Sequence, residues 1–295
     1  MPILSWLLTA ALLVGAASAH AETVYVSNEQ DNTVSVVDGR TLAMTHTIEV
    51  GRRPRGLALS KDHALLYVAV GDDNRIDVVD VAARRVVRSL PSGDDPEFFV
   101  IHPDNQRLFV ANENDNLVSV IDLSARRVIA GIPVGIEPEG VGVSHDGRFV
   151  LSTSETTSMV HIIDAQSLDV VNSVLVDARP RWAGFSADDS QIWVTSEVGG
   201  TLNIIDAKSH QPGHRIRFEV PGVHRELVQP SEWRSPATAA VPMWRSAPRI
   251  ASRRSTRERT RWSACISSAS ASGTSPSRRT RSGFTRRTGF RAMCP

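Results

Sequence analysis

Charged residues recur every 42 residues in two columns of this sequence, and these side chains are the best placed to bind a polar ligand. In the first column each charge follows a proline, and its members are Arg55, Glu97, Glu139 and Arg181. The second column holds Glu29, Glu113, Glu155 and Glu197, and in the second unit, where Gly71 occupies this position, Asp72 and Asp73 supply the carboxylates. If both columns converge at one mouth of the fold, they could hold a polar or cationic ligand. The alternative is a belt of ion pairs between neighbouring units, each worth about 0–1 kcal/mol where it is exposed.

A second candidate site is a loop that breaks the spacing. When Pro230 is aligned with Pro54, eight extra residues remain, and they include His224 and Arg225. Insertions in repeat proteins often lie on the binding face. His224 could act as a base or a ligand, and Arg225 could hold an anion. A loop that merely covers a channel explains the insertion equally well. We assign no catalytic residue and no metal ligand, because the spacing shows no nucleophile–His–acid arrangement.

The elements that would position these residues follow from the repeat itself. Five units of 42 residues begin at Val24, Leu66, Leu108, Val150 and Ile192. Each contains short apolar runs that alternate with a period of two, separated by Gly, Asp and Asn, which is typical of strands and turns. Four short strands with their turns fill roughly 40–45 residues, the size of one propeller blade. The sequence therefore predicts an all-β fold, a β-propeller of four-stranded blades.

Individual strands can be placed within the repeat. We predict an inner strand from Pro138 to Ser144 and a second strand from Phe149 to Ser154. Leu117 to Asp122 illustrates the third strand, and Val128 to Val134 the outer one. The third strand of each unit ends with an Asp, and we expect this residue to accept backbone N–H bonds in the following turn rather than to bind metal. These residues are Asp38, Asp80, Asp122, Asp164 and Asp206.

The composition changes abruptly after Pro230. Residues 231–295 contain 14 Arg, 13 Ser, no Leu and only two acids. Reading the reverse-translated tail in a shifted frame restores repeat-like strings, including two Tyr positions that are 42 residues apart. We therefore expect that a frameshift near Pro230 scrambled the sixth and seventh units of a seven-bladed parent. About five blades, within residues 22–230, would be encoded intact, and residues 231–295 would be disordered.

Residues 1–21 indicate export. An apolar run from Ile3 to Val14 precedes small residues that fit an Ala-x-Ala cleavage site, which is typical of a secretory signal. The sequence thus predicts a periplasmic protein with no membrane span after signal removal. Both cysteines, Cys265 and Cys294, lie in the tail, so neither a disulfide nor a Cys-based metal site belongs to the propeller. Residues 1–230 are net acidic, which argues against a nucleic-acid partner.

The repeat resembles the YVTN-repeat propellers. Their pattern matches here at Tyr25–Asn28, Asn32–Asp38 and Val50–Gly56. Within that family the chain is similar to periplasmic propellers associated with alcohol catabolism that depends on the cofactor PQQ, through Ser152–Thr157 and Pro221–Glu226. The resemblance implies an accessory role beside quinoprotein dehydrogenases, with no intrinsic cofactor. PQQ or haem association follows only from the resemblance.

Three functional hypotheses remain open. The first is a non-catalytic binding propeller whose partner is a component of a periplasmic quinoprotein dehydrogenase system or a small molecule. The second is a hydrolase that resembles the seven-bladed lactonases and uses His224 with Glu155 or Glu197 as acid–base groups. The third is haem carriage, as in propellers related to d-type haem nitrite reductases.

Overall fold

The protein is described by a computed structural model that covers residues 23–234 and 243–246, with side chains from residue 23 to 231. It is nearly all β, and two short 3-10 turns at Gly71–Asp73 and Arg225–Leu227 are its helical elements. The strands form six antiparallel sheets along the chain. Blade I is three-stranded and consists of β1 (Thr23–Asn28), β2 (Thr33–Asp38) and β3 (Met44–Glu49).

Blades II to V each have four strands that are paired in chain order from the inner to the outer strand. Blade II comprises β4 (Pro54–Leu59), β5 (Leu65–Val70), β6 (Arg75–Asp80) and β7 (Arg85–Pro91). Blade III comprises β8 (Pro96–Ile101), β9 (Arg107–Asn112), β10 (Leu117–Asp122) and β11 (Arg127–Pro133). Blade IV comprises β12 (Pro138–Val143), β13 (Phe149–Ser154), β14 (Met159–Asp164) and β15 (Val170–Leu175). Blade V comprises β16 (Pro180–Phe185), β17 (Gln191–Ser196), β18 (Thr201–Asp206) and β19 (Pro212–Arg217).

The period seen in the sequence is the period of the structure. The second strands of blades II to V begin at Leu65, Arg107, Phe149 and Gln191, in steps of 42 residues. Each inner strand begins at the proline of its unit and carries a bulge at the next residues, as between Pro138 and Val141. The predicted fold class, an all-β propeller built from four-stranded blades, is confirmed.

The core lies between blades rather than within them. Because side chains alternate along a strand, each middle strand presents one set to the preceding blade and one to the following blade. In β9, Leu108 packs against blade II, whereas Phe109 packs against blade IV. Both residues are fully buried. Burial on both faces explains why middle strands such as β9 have apolar residues at consecutive positions.

Blade I is incomplete within the described residues. Its strand β1 corresponds to the second strand of the other blades, so the innermost position is not filled by a strand of residues 23–234 or 243–246. The strands equivalent to β1 are almost entirely buried, but Val24 is 39% exposed. Blade I therefore lacks both an inner strand and a preceding blade among the described residues.

Part of the segment predicted to be disordered forms a sheet. Strand β20 (Pro230–Arg234) pairs with β21 (Met243–Ser246), and Pro230 again starts an inner strand beside blade V. The rest of residues 231–295, together with the predicted signal at 1–21, lies outside the described residues, so the frameshift stays a prediction. Among the described residues, no helix has the length and apolarity that a bilayer span requires.

Candidate functional site

One pair of loops repeats at the same end of every complete blade and gathers the charged columns. In each blade a backbone N–H after the second strand donates to the carbonyl of the residue before the inner-strand proline. The donor–acceptor pairs are Gly71 to Arg53, Glu113 to Asp95, Glu155 to Glu137 and Glu197 to Arg179, at 2.8–2.9 Å. The two charged columns therefore meet at one mouth of the central channel.

These loops also contain a third charged column, which the sequence analysis did not identify. Arg53, Asp95, Glu137 and Arg179 precede the four inner-strand prolines and share a positive φ of 56–58°. This left-handed conformation is uncommon for residues other than glycine and turns the chain sharply into the inner strand. The signal was present, because these residues also lie 42 apart and each carries a charge.

Arg53 is the centre of the first charge cluster. Its guanidinium pairs with Asp95, lies 2.5 Å from Glu97 and 3.7 Å from Glu113, and reaches Glu29 at 3.3 Å. One cation thus faces four carboxylates. The hydrogen bond to Asp95 and the charge of Glu97 raise the pKa of Arg53 despite its partial burial, so this guanidinium stays charged.

Arg55 connects its own blade to three others. Its guanidinium nitrogens lie 3.0 Å from Glu29, 2.5 Å from Glu97 and 3.3 Å from Glu139. These carboxylates belong to blades I, III and IV, whereas Arg55 itself lies on β4 of blade II. The contacts of Arg55 therefore cross the mouth of the channel instead of joining only adjacent blades.

Arg181 and Arg179 form the second cluster. Arg181 lies 2.8 Å from Glu139, pairs with Glu155, and reaches Glu197 at 3.9 Å. Arg179 lies 2.7 Å from Glu155 and 3.4 Å from Glu197. Glu139, which also contacts Arg55, links this cluster to the first one. We call the whole set the ion-pair belt; it consists of Glu29, Arg53, Arg55, Asp95, Glu97, Glu113, Glu139, Glu155, Arg179, Arg181 and Glu197.

The belt contains seven carboxyl groups and four guanidiniums, and two of the carboxyls are deeply buried. Glu97 is 0% and Glu139 2% exposed. Burial and the nearby charge of Glu139 raise the pKa of Glu97 to about 9. Burial likewise raises the pKa of Glu139 to about 7, although Arg181 and Arg55 act in the opposite direction. Both carboxyls therefore retain protons more readily than free glutamate does.

Asp95, Glu97 and Glu113 form the densest group of acids in the described part of the chain. Each offers an oxygen within 4.8 Å of the others, a separation that would suit a metal ion. However, the Arg53 guanidinium contacts all three carboxyl groups. The arginine itself is therefore the cation at this position.

The structure does not bring the inserted loop into the belt. The His224 side chain is 73% exposed, and its ion-pair partner among the described residues is Glu226, at 3.9 Å. Arg225 starts the short 3-10 turn of the same loop. Glu155 and Glu197, the proposed partners of His224 in hydrolysis, lie against Arg179 instead. The described contacts thus contain no His–Glu pair between this loop and the belt.

His161 on β14 has a structural role. Its Nε2 accepts a hydrogen bond from the backbone N–H of Gly135 at 2.9 Å, and its Nδ1 lies 2.8 Å from the Ser173 hydroxyl. Asp77 occupies the equivalent place in blade II and accepts from the backbone N–H of Gly51. Burial lowers the pKa of His161, in keeping with a neutral acceptor.

Two clefts of the described surface lie away from the belt. One of about 430 Å³ lies between blades III and IV and is lined by Arg107, Gly147, Arg148 and Asp164, among others. Arg107 there already contacts Asp104 and the carbonyl of Ala165.

Comparison with known proteins agrees with the architecture. Residues 65–181, which run from β5 into β16, match the family model described as the cytochrome D1 heme domain. No curated protein matches the sequence. Among solved structures, Kuenenia stuttgartiensis hydrazine synthase is similar, with a TM-score of 0.66 and 23% identity over 75% of this chain and 70% of that one. At this identity the similarity shows the fold alone. The chain is a β-propeller that is similar, in its second to fourth blades, to the cytochrome D1 heme domain.

Proposed function

We propose that the protein is a non-catalytic periplasmic binding propeller that serves quinone-dependent alcohol oxidation and presents its belt face to a partner. The observation that carries this proposal is the charge imbalance at the channel mouth, where seven carboxyls face four guanidiniums. An acidic face favours association with a basic surface or a cationic ligand and accelerates their encounter. The proposal places the quinone cofactor in the partner protein.

The contacts of the belt support binding rather than turnover. A general acid or base must be within hydrogen-bond reach of the reacting group. Glu155 instead is paired with Arg179 and Arg181, and His224 is exposed on its loop. The hydrolase hypothesis therefore receives no support from the described side chains.

Binding can be tested with the exported chain and a purified periplasmic quinoprotein alcohol dehydrogenase. We expect surface plasmon resonance to show an association that weakens with salt. Replacing the two more exposed acids, Glu29→Lys and Glu113→Lys, should slow association at least tenfold. The matched control is Glu49→Lys on the exposed strand β3. Absence of binding, or an equal effect of the control, would contradict the proposal. Lactone hydrolysis that is lost in His224→Ala would instead establish an enzyme.

The family match raises haem carriage as a second candidate, which the inner strands and the belt arginines do not support. Haem iron in proteins is held by an axial side chain such as His, Met, Tyr or Cys. The four inner strands that line the channel, β4, β8, β12 and β16, contain none of these residue types. The four belt arginines, which could otherwise bind haem carboxylates, are paired with glutamate or aspartate. We expect no Soret band after incubation with haem.

A further inference from the structure

The charge imbalance is concentrated on one side of the belt. Arg179 and Arg181 face Glu155 and Glu197, so these charges balance. The other two arginines face twice as many acids. Arg53 and Arg55 contact Glu29, Asp95, Glu97 and Glu113. Glu139 adds a further carboxyl that both sides share.

The excess acids lie close together, and Glu97 and Glu139 among them are deeply buried. The oxygens of Asp95, Glu97 and Glu113 lie within 4.8 Å of one another. Glu97 is fully buried, and its two oxygens each face a single guanidinium nitrogen, of Arg53 and Arg55, at 2.5 Å. Removing charges from water is unfavourable unless opposite charges compensate them fully. With two guanidiniums for four acids and a shared fifth, this side of the belt has fewer positive charges than carboxyl groups.

We propose that the ion-pair belt is a proton-dependent clamp on blades II to V, which holds at least one proton at neutral pH and loosens when that proton is lost. The proton lies on the Glu97–Glu139 pair. The charged groups around this pair come from every blade that contributes to the belt. They are Glu29 from blade I, Arg53 and Arg55 from blade II, Asp95 and Glu113 from blade III, Glu155 from blade IV, and Arg179, Arg181 and Glu197 from blade V.

Deprotonation would act on the loops that the acids occupy. Glu113 and Asp95 are joined by a backbone hydrogen bond of 2.9 Å between their loops, directly beside Glu97. A new negative charge on Glu97 would repel the carboxylates of Asp95 and Glu113 and would weaken the hydrogen bond between their loops. Glutamates of the unfolded state ionise near pH 4.5, whereas Glu97 in the folded state keeps its proton up to about pH 9. Between these values the folded state therefore binds more protons than the unfolded state. Stability would be fully present below the lower value and would decrease as pH rises to about 9.

The test is a series of urea unfolding curves of the exported full chain between pH 7 and pH 9. In the wild type the unfolding equilibrium constant should rise with pH, by up to about tenfold per pH unit for each proton involved. Glu97→Gln and Glu139→Gln mimic the protonated carboxyl, so each should reduce this slope at least by half. Glu49→Gln on β3 is the exposed control and should keep the wild-type slope.

A second measurement avoids dependence on the variants. In the wild type labelled with ¹³C at the glutamate carboxyl, at least one side-chain resonance should titrate above pH 6.5. A wild-type equilibrium constant that is unchanged between pH 7 and pH 9 would overturn the clamp. The same conclusion would follow if both Gln variants kept the full slope, or if every glutamate titrated below pH 6. The test needs no partner, so its outcome is independent of the proposed binding function.

Discussion

Arg55 and Glu139 are in contact across an intervening blade. The Arg55 Nη2 atom lies 3.3 Å from the Glu139 Oε1 atom, although the two residues are 84 positions apart. They belong to blades II and IV, and the same nitrogen lies 2.5 Å from Glu97 in blade III. A single side chain therefore joins three blades at the channel mouth.

The first prediction concerns this arginine. Arg55→Met should lower the free energy of unfolding by about 3 kcal/mol at pH 8, because Glu139, whose pKa of about 7 leaves it largely ionised at this pH, loses a cationic partner. The loss should be smaller at pH 5, where Glu139 also binds a proton. Urea unfolding at both pH values measures the difference. Arg52→Met is the control, because Arg52 is 64% exposed in its pair with Asp73, and its unfolding midpoint should not change. An equal loss in both variants would contradict the prediction.

The second prediction concerns the close approach of two inner strands. A Cβ atom on Gly140 of β12 would lie 2.4 Å from the carbonyl oxygen of Arg181 and 2.9 Å from the Cα of Trp182. Gly140→Ala should therefore force blades IV and V apart at the channel and cost about 1–3 kcal/mol. In Gly131→Ala on β11 the new methyl group meets only the Leu117 side chain, at 3.4 Å or more. Thermal unfolding should show a lower midpoint for the first variant than for the second.

The third prediction concerns the pH dependence of His161. Its folded-state pKa lies below the ordinary value of 6.5, so the unfolded state binds the proton first as pH falls. Relative to His161→Ser, the wild type should therefore lose stability when pH decreases from 7 to 5. Serine is the residue that occupies this position in blade III, at Ser119. His214→Ser on the exposed strand β19 is the control for a His-to-Ser substitution outside the core. A constant difference between wild type and His161→Ser would refute the neutral-acceptor role.

The fourth prediction concerns the turn after each third strand. The Asp164 Oδ1 atom accepts hydrogen bonds from the backbone N–H groups of Gln166 and Ser167, at 2.9 and 3.0 Å. Asp164→Ala removes both acceptors and should lower the midpoint of unfolding. Asp164→Asn keeps an oxygen at the same place, so it should retain most of the stability at pH 7. Equal midpoints for the two variants would show that the hydrogen bonds do not contribute.

The blades were predictable from sequence because their spacing is regular. The predicted third strand Leu117 to Asp122 and second strand Phe149 to Ser154 have the observed bounds, and the outer strand is displaced by one residue, at Arg127–Pro133. The missing inner strand of blade I was not foreseen, because alternation in β1 resembles that of every second strand. The paired strand β21 lies in residues whose composition indicated disorder.

The ion-pair belt was predictable only in part. The 42-residue step identified eight of its eleven members, and their gathering at one mouth follows from the position of each loop in its blade. The ion-pair partner of each charged residue was not predictable. Arg55, for example, reaches past blade III, and its reach depends on side-chain length and on the curvature of the blades. His224 and Arg225 were selected because an insertion is unusual, but an insertion alone does not specify the direction of its side chains.

The inner position beside β1, which no strand of the described residues fills, has a consequence for how the protein behaves at high concentration. The strand Thr23–Asn28 has a hydrogen-bonded neighbour, β2, on one side among the described residues. It contains no charged residue and no proline, the features that usually deter an edge from pairing with another chain. Outer strands such as β7 and β19 carry arginines instead. We therefore expect intermolecular strand addition to start at β1, so that one lysine at Val24 would improve solubility more than several on the outer rim.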